Sequence, residues 1–161
     1  MKNKNKILWL LITLFVTISC SEEESENVVT NESTFTVWKG DLLTFEKADG
    51  ADPSQASNQD RISDNVWLTR GNDGGQIFNI AKENNADKNK SPIGTQWAVG
   101  SIDDVESLSF DDFRSAVGQP KSVVGKNLVL HLQEDDIYCS VKFTSWSSGS
   151  KGGFSYERTT P

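Results

Sequence analysis

The chain has 161 residues, with 16 basic against 23 acidic side chains and a net charge of −7. That is enough for one ordinary domain with its own core. The acidic balance repels phosphate backbones and anionic head groups, so nucleic acid is excluded as an expected partner.

Lys2, Lys4 and Lys6 precede an apolar run of twelve residues, Ile7 to Ile18. A membrane-crossing helix needs about 20 apolar residues, so this run suits the core of an export signal. It ends in Val16-Thr17-Ile18-Ser19-Cys20, which resembles the lipobox of bacterial lipoprotein precursors, although Thr17 stands where that pattern prefers Leu. The resemblance implies removal of residues 1–19, a thioether-linked diacylglycerol on Cys20 and usually a third acyl chain on the new amine. At about 0.8 kcal/mol per buried CH₂, two or more chains anchor a domain for practical purposes permanently. Removing nineteen residues, three of them lysines, leaves 142 residues carrying 13 basic and 23 acidic side chains, a net charge near −10. Lipidation of Cys20 leaves only Cys139, so no intrachain disulfide is expected and the core must hold the fold. With apolar strand neighbours, Cys139 reads as a buried, inert thiol. Ser21-Glu22-Glu23-Glu24-Ser25-Glu26 resembles the acidic signal that sends Bacteroidetes-type lipoproteins to the outer face of the outer membrane. It would equally serve as a solvated, self-repelling tether over residues 20–33. A single domain is expected over 34–161.

Strand signals dominate that domain. Thr34 to Trp38 alternates, Gly40-Asp41 turns, and Leu43 and Phe45 continue one face. Residues 49–64 read as a long polar loop. Asn65 to Thr69 reads as a strand apolar on both faces, placing Trp67 in the core. Strands are also expected at 76–80 and 95–99, on either side of a polar excursion over 82–92. Ser109, Asp111 and Asp112 ahead of Phe113 and Val117, with Gly118 and Pro120 behind, predict one short helix over 109–117. Leu128, Leu130 and Leu132, then Ile137, Cys139, Val141 and Phe143, form the inward faces of a hairpin. Pairing Leu132 with Ile137 sets His131 opposite Tyr138, whereas a tighter turn sets it opposite Ser140. A final strand spans 154–158. Many short strands without strand–helix alternation predict an all-β antiparallel sandwich, jelly-roll-like, with a small closed barrel as the alternative.

Asn58 to Ile62, Asn65 to Gly71, Ser91-Pro92 with Thr95 to Ala98, and the stretches 136–146 and 152–159 together resemble a recurrent β-module of secreted bacterial proteins. The resemblance covers most of residues 42–160 and implies no assigned activity.

Three chemistries can be weighed from the residues. Ser148-Gly149-Ser150-Lys151 and Ser63-Asp64-Asn65 match two penicillin-binding motifs, but their order is reversed and the Lys-Thr-Gly strand is missing, so they read as coincidence. Asp49, Asp52, Asp60 and Asp64 offer oxygen ligands for a Ca²⁺ ion in the acidic loop. His131, Tyr138, Lys142 and Trp146 fall in phase on the polar face of the hairpin. An exposed aromatic among hydroxyls and amides suits sugar binding. The expected function is therefore a lipid-anchored, surface-exposed, non-enzymatic module binding glycan or another extracellular polymer. The alternatives are an assembly partner in an outer-membrane complex and a glycan hydrolase or lyase, the last needing two carboxyl groups about 5–10 Å apart.

Overall fold

In the computed structural model, residues 35–161 are described; the signal segment, Cys20 and the acidic tether lie outside the described residues. Alternation at the C-terminal end builds the centre of the larger of two sheets. β7 (Asn127–Leu132) pairs antiparallel with β8 (Ile137–Trp146), with Leu132 opposite Ile137 and His131 opposite Tyr138. This is the wider of the two registers expected. The connecting turn closes through Asp136, whose φ of 48° is one that Asp tolerates better than most residues.

β6 (Thr95–Val99) adds to the outer edge of β7, and β9 (Phe154–Thr159) pairs with the second half of β8. β2 (Leu42–Lys47) completes the order β2-β9-β8-β7-β6. The three residues of β1 (Thr36–Trp38) pair parallel with the first half of β8, the one departure from antiparallel pairing among the described strands. A smaller sheet of β3 (Asp60–Arg61), β4 (Trp67–Arg70) and β5 (Ile77–Asn79) faces the larger one. The protein is thus an all-β sandwich, and no barrel closes among the described residues.

The core lies between the sheets. Trp97, Leu128, Leu130, Leu132, Cys139, Phe143, Phe154 and Tyr156 from the large sheet meet Ile62, Val66, Leu68 and Ile77 from the small one. Burying each large apolar side chain is worth about 1.5–3 kcal/mol. One buried ion pair also joins the sheets. Asp60 accepts Arg158 Nε at 2.7 Å, Arg158 Nη2 at 2.9 Å and the Tyr156 hydroxyl at 2.6 Å. At the far end Asp135, in the β7–β8 turn, accepts Ser63 Oγ and Asn65 Nδ2 from the small sheet.

Three expectations need correction. The helix, α1 (Phe113–Val117), starts four residues later than predicted. Asp111 exchanges both backbone hydrogen bonds with Trp97, so residues before 112 are held extended against β6. The Phe113 N–H is capped instead by Ser91 Oγ, 2.8 Å away from a distant loop. Trp67 is half-buried rather than core, with the Arg61 guanidinium 4.1 Å over its ring and its Nε1 donating to Ser63 O. Finally, the outer face of β7 and β8 is partly roofed. Ala98 and Val129, both in the outward phase, are fully buried, because residues 101–110 fold back across the sheet and set Phe110 against His131 and Tyr138.

Candidate functional site

Of the four hairpin residues expected to share a polar face, only His131 and Tyr138 stay together. His131 stacks on Tyr138, with centroids 4.1 Å apart and planes within 3°, and its Nε2 lies 3.1 Å from Asp136 Oδ1. Phe110 and Phe35 pack edge-on around the Tyr138 ring, which makes this a closed aromatic cluster. Lys142 is exposed further along β8, opposite Asn127 and Glu157. Trp146 has changed sides. Its register partner is Phe154, two residues from Tyr156, which pairs with Phe143. The register shifts between Phe143 and Ser145, so Thr144 is an extra residue that rotates the strand by one step. Trp146 consequently points to the inner side and packs against Phe113, Phe143 and Phe154.

The calcium expectation also fails on geometry. Asp60 spends both carboxylate oxygens on Arg158 and Tyr156. Asp52 accepts from the Ser54 N–H and hydroxyl in its own turn, and Asp49 lies 3.5 Å from Lys151 Nζ. Asp64 is exposed on the small sheet's loop. Among the described residues, no group of three or more His, Cys, Asp or Glu side chains is placed to hold a metal ion.

An open concavity lies where the inward-turned Trp146 reaches the loop end of the sandwich. This open cleft of about 630 Å³ is lined by Arg70, Lys88, Arg114 and Lys121, by Trp146, and by the turn from Ser147 to Ser150. Arg70 anchors it. Its side chain is buried at the end of β4, with Nε donating to Gly75 O and Nη1 to Ser147 O and Gly153 O. Its guanidinium lies 4.1 Å over the Trp146 ring, a cation–π contact that occupies that face. Burial pulls the Arg70 pKa below its ordinary value, with the charge of Asp49 opposing.

A second buried cation supports the cleft. Lys47, at the end of β2, donates to Asn72 Oδ1 at 2.9 Å and to Gly152 O at 3.3 Å. Burial, and next the Arg70 charge, lower its pKa against the pull of Asp49 and Asp52. Asn72 Nδ2 in turn donates to Ala51 O, so the Lys47 ammonium and the Asn72 amide together join the loops after β2, β4 and β8. Gly152, at φ 73°, fits beneath the Gly71 carbonyl, which a Cβ would approach to 2.6 Å.

A neighbouring cleft of about 560 Å³ shares Gly74, Gly75 and Lys88 with the first and adds the side chains of Asn72, Asn84 and Asn85. The Lys88 wall is held by Gln76, whose amide donates to the carbonyls of Asp87 and Lys90. Sequence reasoning missed this site because its cations stand on four separate segments. The available signal was Arg70, a charged residue closing an otherwise apolar strand. Compared with known protein families, with curated proteins and with solved structures, the chain matches none of them.

Proposed function

We propose that this protein is a lipid-anchored, surface-exposed, non-enzymatic module that binds an extracellular glycan polymer in the cleft beside Trp146. The observation that carries the reading is the cleft itself. It is an open cleft of about 630 Å³, floored by an aromatic–guanidinium pair and lined by serines, with an asparagine-lined cleft beside it. Rigid loops offering hydrogen bonds around an apolar floor suit a hydroxyl-rich chain. Among the described residues no carboxylate lines the main cleft, which favours binding over the paired-acid chemistry of a hydrolase. Anchoring through Cys20 would hold the domain at the outer membrane with the cleft free to meet polymer from solution.

A polysaccharide array probed with the protein is the test. Binding to at least one polymer with no change in its chain length is expected. An array without any binding overturns the reading, and shortening of a bound polymer replaces it with an enzyme. Fatty-acid labelling of the chain should be lost in Cys20→Ser. A second reading, an assembly partner of an outer-membrane complex, is favoured by the open edge of β2, where Leu42 is 63% exposed and Leu43 37%. Stoichiometric co-purification of an outer-membrane protein, lost in Leu42→Asp, would carry it.

A further inference from the structure

Resting on the binding-module reading, we propose that the cleft takes the oxyanion groups, sulfate or carboxylate, of an anionic polysaccharide. Among the described residues, four cations and no Asp or Glu line it, in a chain whose acidic residues outnumber its basic ones by 23 to 16. That charge separation runs against composition.

None of the four cations forms an ion pair within 4 Å among the described residues, although Lys39, Lys82, His131, Lys151 and Arg158 all do. Arg70 is buried against neutral carbonyls in a medium that screens poorly, with the charge of Asp49 as a partial counterweight. The nearest acid acting on it, Asp49, already faces Lys151 and accepts the Ser147 hydroxyl. Arg114 carries the most direct signal. Its Nε is enclosed yet has no hydrogen-bond acceptor among the described residues, and the side chain lines the cleft. A guanidinium donor without a partner is costly, and turning the Arg114 side chain onto an oxyanion held in the cleft would satisfy it with a charge-assisted hydrogen bond.

The same details separate an anionic glycan from its competitors. A neutral sugar would use the Trp146 face for stacking, but Arg70 covers one face and Phe113 packs against the ring at 28°, with centroids 6.2 Å apart. Single-stranded nucleic acid needs open aromatic platforms for its bases, and the cleft's only aromatic is already engaged. The amides of Asn84 and Asn85 beyond the Gly74–Gly75 ridge, in a cleft that Asp73 also lines, offer donors and acceptors for the hydroxyls of flanking sugar units.

The experiment titrates the protein calorimetrically with dextran sulfate, polygalacturonate, dextran and double-stranded DNA, at low and at raised salt. Binding by one or both anionic polysaccharides is expected, weakening as salt rises, and the arm that binds distinguishes sulfate from carboxylate. Arg114→Gln and Lys121→Gln should each weaken it about tenfold, the loss expected when a charged hydrogen bond goes. Lys39→Gln, remote from the cleft on the Lys39–Asp103 pair, should not. Unchanged melting temperatures show that the variants are folded. Dextran binding that ignores salt would leave the module reading standing and overturn the anionic one. DNA binding as tight as that of the polysaccharides would overturn it too, since the cleft would then read charge alone. No binding by any polymer removes both readings.

Discussion

Single side chains in this protein change meaning with their partners. Asp60 sits in a polar stretch that resembles a solvated loop, yet it is buried and fully hydrogen-bonded to residues 96 and 98 positions later. The pairing dominates the titration of its neighbours. Burial works to lower the Arg158 pKa and is outweighed by the Asp60 hydrogen bonds and charge, so it ends raised, while burial and Asp60 together push Tyr156 well above its usual range. Lys47 is the opposite case, a buried ammonium with only neutral acceptors. Its folded pKa lies below the unfolded value of 10.5, so between the two the unfolded chain binds more protons. Stability contributed at Lys47 therefore rises as pH increases through that window. Relative to Lys47→Met, the wild-type protein should gain urea resistance as pH is raised toward 10.5. A constant difference across that range would show that Lys47 is not desolvated. The comparison with the variant matters, because Tyr156, kept protonated in the fold, acts in the reverse direction at the alkaline end.

At the scale of elements, two short features decide more than the long strands. α1 has five residues and no cap from its own Asp112, too short to persist without tertiary support. Ser91 supplies that support, its hydroxyl accepting from Phe113 while its N–H donates to the Asp112 carboxylate at 2.6 Å. Ser91→Ala should therefore behave as the loss of an N-cap, costing about 1 kcal/mol in urea denaturation. A cost below a few tenths would show that the helix stands on packing of Phe113 and Val117 alone. The bulge at Thr144 is the second feature. One surplus residue in β8 turns Trp146 from the solvent face to the core side, and this places an aromatic floor under the cleft. Arg70, at the end of β4, then meets that ring from the facing sheet.

For the whole molecule, stability rests on one continuous core, because no disulfide links the described residues. Cys139 lies in the middle strand of the large sheet with no exposed surface, and burial pushes its thiol up to about 12. Its modification should require global unfolding rather than local opening. Labelling of Cys139 by a thiol reagent, mapped by mass spectrometry, is expected to be at least about 10³-fold slower in the native protein than in urea. Rapid native labelling would place a weak point at the centre of the sandwich.

How far the sequence carries depends on whether a pattern is local. The β7–β8 register follows from the alternation itself, since sliding by one residue would expose Leu128, Leu130 and Leu132. The sandwich class, the position of β6 and the burial of Cys139 come from the same period-two pattern and are borne out. Three kinds of feature were decided only by tertiary structure. Alternation puts Trp146 on the solvent face, because a bulge leaves no periodic trace. The four aspartates read as oxygen ligands, because nothing near Asp60 announces Arg158. The cationic cleft has no local sequence signature, because Arg70, Lys88, Arg114 and Lys121 are neighbours only after the sheets close. Alternation reports which side of a strand meets the core, and that is a property of adjacent residues. A cleft or a buried ion pair forms between segments far apart in the chain, so its charge balance exists only in the folded molecule.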